Sequence, residues 1–61
     1  MMIYLIDSVN NEIKNTYTNV DKWSVNFVEF TSNGFKTKIY CDSETEYFSD
    51  KLPIIEEVTN D

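Results

Sequence analysis

The sequence predicts a mostly β, antiparallel domain, and three observations support that. First, six Ile, five Val, four Phe, four Tyr and one Trp make up 20 of the 25 hydrophobic residues in a chain of 61. β-Branched and aromatic side chains suit a pleated, half-buried surface. Second, Ala, Gln and Arg are absent and only two Leu occur, so the residues that most favour helices are depleted. Third, Asn33-Gly34 lies between apolar runs, the strongest short-range signal for a hairpin. The expected architecture is a small antiparallel sheet of two hairpins, meander-like, closed by one short C-terminal helix or edge strand. With the helix the class becomes α+β. Residues 1–61 read as a single small domain whose last third, 42–61, is acidic.

The first hairpin is expected to pair an apolar strand, Met2 to Ser8, with a second strand from Glu12 to Val20 across an Asn10-Asn11 turn. In that register Asp7 faces Lys14 and Tyr4 faces Tyr17. The polar Asn15, Thr16 and Thr18 mark the second strand as an edge or one-sided strand. Asp21-Lys22 then links it to the next hairpin.

The second hairpin is expected to pair residues 23–32 with 35–42. A type I′ turn needs φ > 0 at both central residues, which Asn33-Gly34 tolerates. That turn places Ser32 opposite Phe35, Glu29 opposite Lys38, Val28 opposite Ile39 and Phe27 opposite Tyr40. Opposed residues share a face. One face therefore carries Val28, Phe30, Phe35, Ile39 and Cys41. The other carries Trp23, Val25, Phe27 and Tyr40, with Glu29, Lys36 and Lys38 near the tip.

Two readings of the next segment compete. Ser43-Glu44-Thr45-Glu46 matches a capping box, in which side chains satisfy orphan amides at a helix start. It predicts a helix over about 44–51, with Tyr47, Phe48 and Leu52 on one face and Pro53 ending it. The alternative is a strand over about 45–49. Pro53 to Val58 reads as a short edge strand, where Pro is tolerated.

Length and residue types narrow the chemistry. A domain of this size has a core worth roughly 3–5 kcal/mol, so packing and association matter. Cys41 has no partner for an intramolecular disulfide, and its expected place beside Ile39 reads as a buried small hydrophobe. There is no His, the commonest general acid–base residue, and a zinc site would need more Cys or His ligands. One Gly cannot build a phosphate-binding glycine loop. Asp42, Glu44 and Glu46 have the spacing of a calcium loop's first ligands. However, Tyr47 stands where that loop requires Gly, and Pro53 where it requires Glu. The expectation is therefore no catalysis, no metal and no cofactor. No segment reaches the ~20 apolar residues of a membrane span. The opening Met1–Ile6 lacks the basic flank of a signal peptide. A cytoplasmic protein is expected.

Charge is the most informative feature. Residues 1–41 carry four acids and four Lys, whereas residues 42–61 carry seven acids and Lys51 alone, so the net −6 lies in the last third. Phosphate-backbone binders neutralise charge with Lys and Arg. Here Arg is absent and the Lys are scattered, so direct nucleic-acid binding is not expected. The acidic third suits a basic protein partner instead, drawn in by long-range attraction. Asp42, Glu44, Glu46, Asp50, Glu56 and Glu57 would supply the charge. Tyr47, Phe48, Ile54 and Ile55, interleaved with them, would supply apolar anchors. The bland readings are a solvated face and core packing.

In size, acidity and Asn/Ile/Lys-rich composition the chain resembles the small acidic inhibitors encoded by bacteriophages: anti-restriction proteins, anti-CRISPR proteins and uracil-DNA glycosylase inhibitors. No single motif carries the resemblance. It implies a viral, non-enzymatic DNA mimic that acts in the host cytoplasm by blocking a nucleic-acid-handling or defence protein. Two other functions fit the same residues. One is a structural or assembly subunit, such as a homodimer, that self-associates through aromatic strand edges. The other is an antitoxin-like partner held by apolar contacts.

Overall fold

A computed structural model describes residues 1–53. Among them six strands form: β1 (Ile3–Asp7), β2 (Glu12–Tyr17), β3 (Lys22–Ser24), β4 (Phe27–Ser32), β5 (Phe35–Tyr40) and β6 (Glu46–Ser49). They make two three-stranded antiparallel sheets, ordered β2-β1-β6 and β3-β4-β5, where one sheet was expected. The described residues are all-β, with no helix among them. The expected edge strand from Pro53 to Val58 lies, after Pro53, outside them.

The β4–β5 hairpin has the register read from its turn. Ser32 opposes Phe35, Glu29 opposes Lys38, Val28 opposes Ile39 and Phe27 opposes Tyr40. Asn33 and Gly34 have φ of 51° and 82°, the left-handed values that a type I′ turn needs.

The first hairpin departs from expectation. Asp7 opposes Glu12, not Lys14, and Tyr4 opposes Thr16, not Tyr17. The cause is Asp7 itself. Its carboxylate accepts hydrogen bonds from the Val9 amide (2.9 Å), the Asn10 amide (3.3 Å) and the Asn10 side chain (2.9 Å). This Asx-type turn begins the reversal at Asp7 and yields a four-residue loop ending on Asn11, at φ 56°. A bulge then shifts the pairing by one residue between Leu5 and Ile6, leaving Lys14 as the extra residue on β2.

The expected strand from 23 to 32 is broken by a second tight reversal. Ser24 opposes Phe27 and Trp23 opposes Val28, with Val25-Asn26 as the turn. The Ser24 hydroxyl organises it, donating to Asn26 Oδ1 (2.6 Å) and accepting from the Asn26 amide (3.3 Å). The reversal changes Trp23's face. It shares the inner face with Val28, not the outer face with Phe27 and Tyr40.

The expected helix over 44–51 is a single turn followed by β6. The Asp42 carbonyl accepts from the Thr45 and Glu46 amides at 3.0 and 2.7 Å. The strand then pairs with β1, with Leu5 opposite Phe48 and Ile6 opposite Tyr47. Alternate residues of β6 bond to β1 while the Glu46 and Phe48 amides bond to the Asp42 and Val25 carbonyls, a set that a helix of two turns, with its costly nucleus, would not match.

The core lies between the sheets. Ile3, Val20, Val28 and Phe48 are buried, and Leu5, Tyr17, Trp23, Ile39 and Cys41 pack against them. Tyr17 meets Phe48 edge-on, with ring centroids 5.9 Å apart. The Val25-Asn26 turn is clamped at the junction: the Val25 carbonyl accepts from the Phe48 amide (2.8 Å) and the Asn26 carbonyl from the Cys41 amide (3.3 Å). At the other crossing the Val20 amide donates to the Met1 carbonyl (2.9 Å) and the Asp21 amide to the Glu29 carbonyl (2.8 Å). Asn19, at φ 57°, turns the corner between them.

Candidate functional site: an acidic pole

Two registers set one end of the first sheet. Asp7 stands between Glu12 on β2 and Glu46 on β6, so three acids occupy one row across three strands. The Asp42–Thr45 turn adjoins this row, held to it by a bond from the Ser8 amide to the Thr45 carbonyl (2.9 Å). Asp42 and Glu44 are therefore brought to the same end, and Lys14 is the cation among these five acids. Like charges directly opposed in a sheet are destabilising. The strain is relieved because the Asp7 carboxylate is turned into its own loop and Glu46 is paired.

Glu46 is held most firmly. One carboxylate oxygen accepts from the Lys14 ammonium, and the other from the Asp42 amide at 3.0 Å. Its side chain is only 13% exposed. The Lys14 bond, then the Asp42 amide, hold its carboxyl below the usual carboxylate range. Lys14 is correspondingly raised, chiefly by its bond to Glu46. The bulge makes this possible, because Lys14 is the unpaired residue on β2 and reaches across β1. Asp7 is also lowered, first by the Asn10 side chain and then by the Val9 amide. Asp42 Oδ1 accepts from the Glu44 amide (3.1 Å). The capping geometry foreseen for Ser43 and Glu46 is thus made by Asp42 and Glu46, around one turn.

Of the residues expected to bind a partner, Asp42, Glu44 and Glu46 are gathered here. Glu44 is exposed, and its carboxylate has no partner among the described residues. Asp50 follows the far end of β6, roughly 13 Å along the strand from Glu46, so it does not join the pole. Tyr47 is half-buried beside Ile6 on the sheet's other face, and Phe48 is in the core, 1% exposed. Phe48 therefore anchors the fold and offers no surface to a partner. Ile54, Ile55, Glu56 and Glu57 lie outside the described residues.

Asp7 and Glu12 are the acids that charge counting missed, because both fall in the neutral stretch 1–41. The available signal was Asp7 before a polar loop, which points to an Asx turn and so to Asp7 opposite Glu12. Among the described residues no group of three or more His, Cys, Asp or Glu side chains is placed to hold a metal ion. No pocket forms there either, so the acids present an open surface, not a cleft. In comparisons with protein families, curated proteins and solved structures, nothing matches this chain.

Proposed function

We propose that the chain is a small acidic binding protein that blocks a basic, nucleic-acid-handling protein by covering its cationic surface. The supporting observation is the convergence of Asp7, Glu12, Asp42, Glu44 and Glu46 at one end of the first sheet, with Lys14 the cation among them. Neighbouring strands lie about 4.8 Å apart, so Glu12 stands close to Asp7 in the row, and Asp42 and Glu44 add exposed negative charge on the adjoining turn. The action is occupancy of a surface, with no bond made or broken.

Glu12 and Glu44 are the informative positions. Both are exposed, whereas Asp42 and Glu46 also hold the turn. Capture of a basic protein from bacterial lysate by the parent chain should fail at high salt, and at low salt with Glu12→Gln/Glu44→Gln. The melting temperature should not fall, since Glu12→Gln removes a like charge opposite Asp7. Equal capture by that variant would overturn the reading.

One observation favours self-association as a second reading. β5 is a sheet edge, and its Phe35 is 75% exposed. Exposed edge strands template pairing. Sedimentation on dilution tests it, since an assembled species should keep its size.

A further inference from the structure

The outer face of the second sheet differs from the pole. The register sets Lys22, Glu29 and Lys38 side by side in one row, Thr31 and Lys36 in the next, and Ser24, Phe27 and Tyr40 in a third. Three of the chain's five Lys thus share one face with two aromatic rings, with Glu29 and with the Asp21 carboxylate, which accepts from the Thr31 hydroxyl (3.2 Å). None of the three has a carboxylate within 4 Å among the described residues. The Lys38 ammonium lies 4.3 Å from the Phe27 ring centroid and 5.2 Å from that of Tyr40. Tyr40 is 66% exposed.

β3 and β5 are the sheet's two edges, and lysines on edges discourage aggregation. That accounts for charge at the edges. It does not account for all three lysines sharing one face, nor for an exposed tyrosine beside Lys38 and a second ring.

We infer that this face binds single-stranded nucleic acid, with Lys22, Lys36 and Lys38 on phosphates and Tyr40, backed by Phe27, stacking on a base. Single-strand binders combine cationic tracks with aromatic platforms. Lys36 and Lys38 stand about 7 Å apart along β5, a step that unstacked nucleotides can follow. An acidic polypeptide added at the β5 edge would reach Lys36 and Lys38 but leave Phe27 and Lys22 unused. An anionic membrane would want further apolar side chains around Tyr40, where beside Phe27 the sheet places Ser24, Glu29 and Lys38. The chain's overall acidity opposes binding at long range, but that repulsion is screened beyond about 8 Å at physiological salt. The inference is independent of the acidic pole.

The test uses the full chain and fluorescein-labelled oligothymidylate, read by anisotropy. Three phosphate contacts predict a log–log salt slope of about −2. Lys36→Ala should make it shallower by about 0.7. Tyr40→Ala should weaken binding roughly tenfold or more, with the melting temperature retained. Glu12→Gln/Glu44→Gln should bind at least as well as the parent. Amide shift changes on titration should map to Lys22, Phe27, Lys36, Lys38 and Tyr40. No binding anywhere from low to physiological salt would overturn the inference. So would shift changes centred elsewhere, or equal or tighter binding of polyglutamate or phosphatidylserine vesicles.

Discussion

Glu46 stabilises the fold through the same carboxylate that adds charge to the pole, and its titration separates the two. Its folded pKa lies below the ordinary 4.5, so the ion pair's stabilisation is present above that value and lost as pH falls through the folded pKa. Asp7, lowered from 3.8, acts in the same direction just below. Lys14 is raised above 10.5, so its share is present below that pH and lost above it. The melting temperature should therefore fall on acidification from about pH 5 to pH 3. In Glu46→Gln the fall should be shallower, because only Asp7's share remains. An unchanged slope in that variant would mean that the Lys14–Glu46 pair does not form. Cys41 gives a second residue-scale prediction. It is half-buried against the core, and burial first, then the Glu46 and Asp42 carboxylates, push its thiol up. The thiolate is the reactive form, so iodoacetamide should label native Cys41 slowly at neutral pH and rapidly after denaturation. Equal rates in the two states would contradict this packing.

The β4–β5 hairpin is the element most fully legible in sequence, because one dipeptide determines its register. A Cβ built on Gly34 meets nothing within 4 Å, so substitution there strains the backbone and not the packing. Replacing Asn33-Gly34 by Val-Val forces two β-branched residues into the left-handed region, at about 1–2 kcal/mol each. Chemical denaturation should show a loss of that order, and an unchanged midpoint would rule out the type I′ turn. The first hairpin was less legible. Asn10-Asn11 suggests a two-residue loop, but Asp7's carboxylate takes the Val9 and Asn10 amides and lengthens it to four. The bulge at Lys14 has no marker in the sequence. The 43–49 segment was ambiguous for a physical reason: Asp42 and Glu46 supply true capping bonds, yet one turn suffices before β6 meets β1.

At the scale of the whole molecule, Phe48 joins the two sheets. Its ring fills the shared core while its amide bonds to the Val25 carbonyl of the other sheet. Phe→Ala in a core costs about 3–5 kcal/mol. A chain of 61 residues has a stability of only about 3–9 kcal/mol in all. Phe48→Ala should therefore leave much of the protein unfolded at ambient temperature, seen as lost near-ultraviolet circular dichroism. Retained cooperative melting near the parent temperature would place the core elsewhere. The fold also separates charge. Asp7, Glu12, Asp42, Glu44 and Glu46 gather at the end of one sheet, while Lys22, Lys36 and Lys38 share the outer face of the other.

The sequence by itself determined the β class and the Asn33-Gly34 register, because side-chain type and turn chemistry act over a few residues. It also determined the net charge. Tertiary structure alone decided that the strands form two sheets, that residues 46–49 are a strand, that Trp23 faces inward, and that Asp7 and Glu12 join the acids of the last third. Each of these depends on a partner distant along the chain: β1 for β6, the second sheet for Phe48, the Asp42–Glu46 turn for Lys14. Local propensity carries no information about those partners, and counting charges along the chain cannot show which strands lie side by side.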